Sequence, residues 1–147
     1  MRVLVQEEPF DFGREAQNFA SGHSNMGAIV TFTGVVRDAD KGGMDRMVIE
    51  HYPGMTQKAL EKIAEEAVSR WDLGDVMVIH RHGELRQGDM IMMVATASRH
   101  RVNAFEAAEY LMDYLKSRAP FWKKEYTADG AEWVAAKDED EDALSRW

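Results

Sequence analysis

Gly27-Ala-Ile-Val-Thr-Phe-Thr-Gly-Val-Val-Arg37 is the stretch on which the fold turns. It is β-branched and aromatic, and both of its alternating sets are apolar, the pattern of a central strand covered on two faces. On its far side, Asp38-Ala-Asp-Lys-Gly-Gly43 is turn chemistry and predicts a mobile loop. Before it, Arg2–Val5 reads as a short strand and Asp11–Ala20 as a short helix that turns Phe12, Ala16, Phe19 and Ala20 to the core.

Beyond the loop, Arg46–Tyr52 is a strand stopped by Pro53-Gly54. Met55–Trp71 repeats apolar residues at helical spacing (Met55, Ala59, Leu60, Ile63, Ala64, Ala67, Val68, Trp71), with Lys and Glu opposite. Asp75–His82 and Asp89–Ser98 read as strands, linked hairpin-fashion by Gly83–Gly88. Asn103 and Glu106 have the spacing of a capping box. The helix they open carries a stripe of Ala104, Ala108, Leu111 and Leu115, widened by Phe105 and Met112, and Pro120 ends it by about Ala119. Phe121–Tyr126 and Glu132–Ala136 form a last strand pair around Asp129-Gly130. This order of strands with two main helices predicts an α+β fold with a mostly antiparallel sheet.

The 147 residues suit one domain, 1–147, ending in an acidic tail over about 138–147. The net charge of −8 is uneven: residues 125–147 hold eight acids against two bases, a net of −6, which leaves −2 for the other 124 residues. A broad basic face for nucleic acid is therefore not expected, while a local basic pocket is. There are no cysteines, so disulfides, thiolate metal sites and a cysteine nucleophile are excluded. No apolar run is long enough to span a bilayer and the N-terminus has no signal-peptide pattern, which points to the cytoplasm. The chain also lacks a G-x-G-x-x-G, a P-loop and a G-x-S-x-G, so dinucleotide, nucleoside-triphosphate and α/β-hydrolase chemistry have no motif behind them.

Cations gather at the ends of elements, where sites are built. Arg37 closes the apolar strand, and Ser98-Arg-His-Arg101 carries the chain from a strand into a helix N-terminus, where free backbone N–H groups attract anions. Lys116 lies in the last helical turn, and Lys123 and Lys124 follow on a strand that sends them to opposite faces. The stiff Ala119-Pro120 turn lets Lys116 and Lys123 face one volume, and a desolvated lysine beside another cation can act as base or nucleophile. His80 and His82 have no carboxylate at metal-ligand spacing, and His51 reads as a hydrogen-bonded core edge. On the residues alone, a metal-independent phosphate-ester hydrolase and a non-enzymatic RNA- or anion-binding module stay open.

Six segments together resemble the large, catalytic subunit family of molybdopterin synthase: Gly27–Arg37, Glu50–Met55, His80–Leu85, Ser98–Arg101, Ala104–Ala107 and Tyr114–Lys123, with two lysines seven apart around Arg-Ala-Pro-Phe-Trp. The resemblance implies an α/β hammerhead fold, and a homodimer within a heterotetramer whose other member is a small ubiquitin-like sulfur-carrier subunit. It implies sulfur transfer from that carrier's thiocarboxylated C-terminus to cyclic pyranopterin monophosphate, forming the molybdopterin dithiolene with no metal or organic cofactor. Lys116 and Lys123 then match the catalytic lysines. Arg37, His100 and Arg101 match the substrate-anion residues, while Lys124 and Glu125 lie in a substrate-contacting segment. Val35 stands where some members of that family carry a lysine.

Overall fold

The computed structural model describes every residue except Ala136. It contains, in chain order, β1 (Arg2–Gln6), α1 (Phe12–Ser21), β2 (Ala28–Val35), β3 (Met44–His51), α2 (Met55–Trp71), β4 (Asp75–Arg81), β5 (Gly83–Leu85), β6 (Met90–Ser98), α3 (Arg101–Ser117), β7 (Phe121–Thr127), β8 (Gly130–Trp133) and α4 (Asp138–Ala143), then a 3₁₀ turn, Leu144–Arg146. The fold is α+β. Two four-stranded sheets run in the orders β1-β4-β6-β2 and β5-β3-β7-β8, and every pairing is antiparallel except β1 with β4. No helix among the described residues is long and apolar enough to cross a membrane.

The first sheet is built on β4 and β6, whose side chains are buried almost throughout because helices and loops cover both faces. Both helices α2 and α3 fold against this sheet, and they run antiparallel. Asn103 near the start of α3 donates its side-chain N–H to the Trp71 carbonyl at the end of α2, at 3.0 Å. Leu60, Ile63, Ala64 and Ala67 of α2 meet Ala107, Leu111 and Leu115 of α3 in the main core, with Val76, Val78 and Val94 of the sheet. α3 also runs back along β6: the Thr96 hydroxyl near the strand's end donates to the Ala104 carbonyl in the helix's first turns.

The segment Gly83–Gly88 is not a simple hairpin link. Gly83, at φ +90°, turns the chain out of the first sheet so that β5 pairs with β3 in the second. β4 and β6 still pair with each other, so the detour costs the first sheet no ladder.

Three further sequence expectations change. The apolar strand β2 is an edge strand, bonded only to β6, and leaves Phe32 44% exposed. Asn103 and Glu106 do not form a capping box: His100 occupies the N-cap, and both side chains are spent on Trp71, Glu106 accepting from its indole N–H at 2.8 Å. Phe105 and Phe12 face outward rather than into the core, Phe105 being 61% exposed. The loop after Arg37 is pinned by Asp38, whose carboxylate accepts the backbone N–H groups of Ala39 (2.8 Å), Met44 (2.8 Å) and Gly43 (3.3 Å).

Candidate active site

β7 sets the two strand lysines apart. Lys123 pairs with Ile49 and Phe121 with His51 across the β3–β7 ladder, and Ile49 is only 1% exposed, so this face looks into the protein. Lys123 is therefore the inward lysine, sharing its face with Glu125. Lys124 points outward and lies over the rings of Trp133 (4.9 Å) and Tyr126 (5.6 Å). A shallow depression of about 320 Å³ on that outer face, lined by Glu50, Trp122 and Trp133, holds neither candidate lysine.

Lys116 sits in the last turn of α3, and the chain returns to β7 through a tight turn in which the Phe121 N–H donates to the Ala119 carbonyl at 2.8 Å. The turn brings the two lysines within electrostatic reach. The Lys123 pKa is lowered, chiefly by burial and next by the charge of Lys116; Asp140 works against this and Lys137 adds to it. No ion pair among the described residues involves Lys116 or Lys123. Half-buried Lys123 and exposed Lys116 thus border one volume with no ion-paired carboxylate to neutralise them. Such a volume suits an incoming anion or a lysine working as the free amine.

A tier of rings walls this volume. His80, 6% exposed, stacks on Phe121 at 3.7 Å with 15° between the planes. Its Nδ1 lies 2.7 Å from the Arg81 carbonyl, which only accepts, so Nδ1 carries the ring proton. Burial pushes the His80 pKa down to about 3, with Lys123, His51 and His82 adding to the fall and the Arg81 hydrogen bond opposing it. His51 packs against His82 with ring centroids 4.2 Å apart, and its pKa too is lowered, first by burial and then by His82. Sequence reading placed these histidines on strands. It could not see them converge, because they come from different sheets.

The anion-binding candidates divide. Arg37, exposed, follows β2 and bonds to Asp40 at 3.0 Å. His100 and Arg101, also exposed, open α3 at the other end of the first sheet. Val35 pairs with Met90 and Ala28 with Ser98, so the strand length between the two groups is roughly 26 Å at about 3.3 Å per residue. Lys116 lies roughly 22 Å along α3 from Arg101 at 1.5 Å per residue, on the Arg37 side. One protomer therefore gathers Arg37, Lys116 and Lys123 at one end and holds Arg99, His100 and Arg101 at the other. Gly27 lets the second group pack against β2: a Cβ there would stand 2.6 Å from the Arg99 carbonyl oxygen.

The acidic tail, which the sequence reads as a short helix or a loose end, forms the short helix α4 and folds back along α3. The Ser117 hydroxyl donates to the Asp140 carbonyl at 2.9 Å, and Arg118 is bidentate to Glu141 at 2.7 and 2.9 Å. Arg146 bonds Glu109 and Asp113, and Trp147 packs edge-on against Trp71 and Tyr110 at 5.4 and 5.7 Å. This return carries Lys137 and Asp140 to the lysine pair, which no local sequence signal announced.

Known proteins resemble this chain along nearly its whole length. The family described as MoaE protein matches residues 5–118. A molybdopterin synthase catalytic subunit from Cereibacter sphaeroides is 67% identical over 147 residues, covering 100% of both chains. One from Escherichia coli is 50% identical, over 99% of this chain and 97% of its own. A solved MoaE structure from Burkholderia ambifaria superposes with a TM-score of 0.85 at 48% identity, covering 99% of this chain and 97% of its own. The chain belongs to the MoaE protein family.

Proposed function

We propose that this chain is the catalytic, sulfur-transferring subunit of a molybdopterin synthase and works in the cytoplasm, with residues 1–147 acting as one unit. The observation that carries the reading is the Lys116–Lys123 pair, inward at Lys123 and without a counter-ion. The partner is a small ubiquitin-like carrier whose C-terminal thiocarboxylate is the anion that volume receives. The substrate is cyclic pyranopterin monophosphate. On each of two carrier visits the sulfur forms a bond to a pterin side-chain carbon as that carbon's bond to oxygen breaks. The carrier's acyl carbon takes an oxygen from the substrate or from water in exchange, and the carrier leaves as the carboxylate. The cyclic phosphate opens to the monoester.

Lys123 engages the carrier's C-terminus. Burial and the charge of Lys116 lower its pKa, which favours the free amine more than in an ordinary lysine, and its charged form stabilises negative charge that develops as sulfur leaves. Lys116, at the more open side, serves the pterin as acid and base. Glu125 shares the inner face with Lys123, and Lys124 flanks it from the other face.

The phosphate needs Arg37 together with His100 and Arg101, which one protomer holds apart. A two-fold dimer resolves this. β2 is an unpaired edge exposing Phe32 and Val35, and an isologous pairing of two such edges is antiparallel. The start of one β2, with its Arg99–Arg101, then lies beside the end of the other, with its Arg37. Each site is completed by the His100 and Arg101 of the second copy.

Incubating the purified chain with thiocarboxylated carrier and the cyclic pterin tests the reading. Dithiolene product is expected, with Lys123→Ala abolishing it. An authenticated carrier that yields no product with the unaltered chain overturns the assignment.

A further inference from the structure

Among the described residues, a single buried side-chain polar atom has no hydrogen-bond partner, and it is Nδ1 of His51. An orphan of this kind costs stability, and native proteins keep few of them. This one lies beside the lysine assigned to the carrier. His51 pairs with Phe121 on β7, and Lys123 is two residues further along the same face. Diagonal neighbours of this sort are about 7–8 Å apart, within reach of a long side chain.

The ring is held from several directions. His82 packs on it at 4.2 Å, and Phe121 stands 6.3 Å away, itself clamped by the His80 stack at 3.7 Å. His80 in turn is fixed by its bond to the Arg81 carbonyl. With the proton on Nε2, Nδ1 of His51 presents a lone pair inside the protein next to an amine that has donors and no ion-pair partner.

We propose that His51 is a positioning residue for Lys123: its Nδ1 accepts a hydrogen bond from the Lys123 amine once the carrier's C-terminus fills the pocket. The proposal rests on the role given to Lys123 above. In the free chain this atom is buried and bonded to no protein group. When the carrier displaces water around Lys123, the amine turns to this buried, ring-clamped acceptor, which aims its remaining lone pair or proton at the carrier's terminal carbonyl. His80 and Phe121 supply the rigid backing rather than a bond of their own.

Two variants separate positioning from structure. In His51→Asn the amide oxygen stands near the place of Nδ1, so an acceptor survives; in His51→Leu it is gone and the space stays filled. With saturating thiocarboxylated carrier, His51→Leu is expected to lower kcat roughly ten- to hundredfold with little change in the pterin KM. Its Tm should be equal or higher, because the orphan has been removed, and His51→Asn should recover most of the rate. Unchanged kcat in His51→Leu overturns the proposal. So does a parallel fall of Tm and kcat, or an Asn variant as slow as the Leu variant. A turnover-free measurement keeps this apart from the assignment of the reaction. In protein with ¹⁵N-labelled histidine, adding the carrier with its unthiolated C-terminal carboxylate should move the His51 Nδ1 resonance, and Lys123→Met should abolish the movement. A resonance that stays put on carrier binding overturns the inference even if product forms.

Discussion

At the scale of single residues, Asp38 shows how a short polar side chain holds a candidate anion ligand in place. Its carboxylate takes three backbone N–H groups of the loop that follows Arg37. Asp38→Ala should release those amides, seen as faster hydrogen exchange at Ala39, Gly43 and Met44. It should also raise the KM for the pterin roughly tenfold with kcat little changed, the pattern of lost uniform binding. The Met44 N–H is the main cause that holds the Asp38 pKa below its usual 3.8, so its contribution is complete above pH 3.8 and disappears as pH falls through the lower, folded value. His80 acts in the same sense, at higher pH. Its folded pKa of about 3 lies below the unfolded 6.5, so between those values the unfolded chain binds the extra proton. Stability should therefore fall as pH drops from about 6.5 toward 3, by up to about 1.4 kcal/mol per unit. Urea unfolding at several pH values would measure the slope, which His80→Gln should flatten. The residue types at the site were legible in the sequence: a lysine on each side of Ala119-Pro120 could be read as one group from local geometry alone. The histidine tier was not legible, because its members meet only through the pairing of β3 with β7 and the passage from β4 to β5.

At the scale of elements, the sequence reads well where a local period is enforced by one buried stripe. Met55–Trp71 has the same bounds in the sequence reading and in the structure, and the stripe of Ala104, Ala108, Leu111 and Leu115 is buried as its spacing requires. It reads poorly where a partner out of sequence changes the use of a residue. Asn103 and Glu106 have capping spacing, yet the Trp71 carbonyl and indole take both of them. The tail is the other case: its acids are mostly solvated, as their run suggests, but Arg118, Arg146 and Trp147 strap the segment to α3. The exposed pair Arg118–Glu141 is worth little by itself. Trp147, half-buried against Trp71 and Tyr110, is the stronger anchor. Trp147→Ala should cost about 2 kcal/mol, less than for a fully buried tryptophan, and lower Tm by roughly 5 °C. Calorimetry would check it, and a Tm within a degree of the unaltered chain would mean the tail is not anchored there.

At the scale of the whole molecule, the division of the anion ligands carries the largest consequence. β2 looks like a central strand because both of its faces are apolar, and in a dimer joined edge to edge it would become one. The discrepancy between sequence and protomer is thus itself an argument for the second copy. If each site combines Arg37 of one copy with His100 and Arg101 of the other, Arg37→Ala and Arg101→Ala should each give a nearly inactive homodimer. Mixed dimers of the two variants behave differently. One of their sites carries both losses, and the other carries neither. Random reassortment makes about half of the dimers mixed, each with one intact site of two, so about a quarter of full activity should return on mixing. Co-expressing the variants with different affinity tags and assaying the doubly purified species raises the expected recovery to about half. Sites contained within one protomer would leave every mixture as inactive as its components, and the edge-to-edge arrangement would then have no part in binding the phosphate.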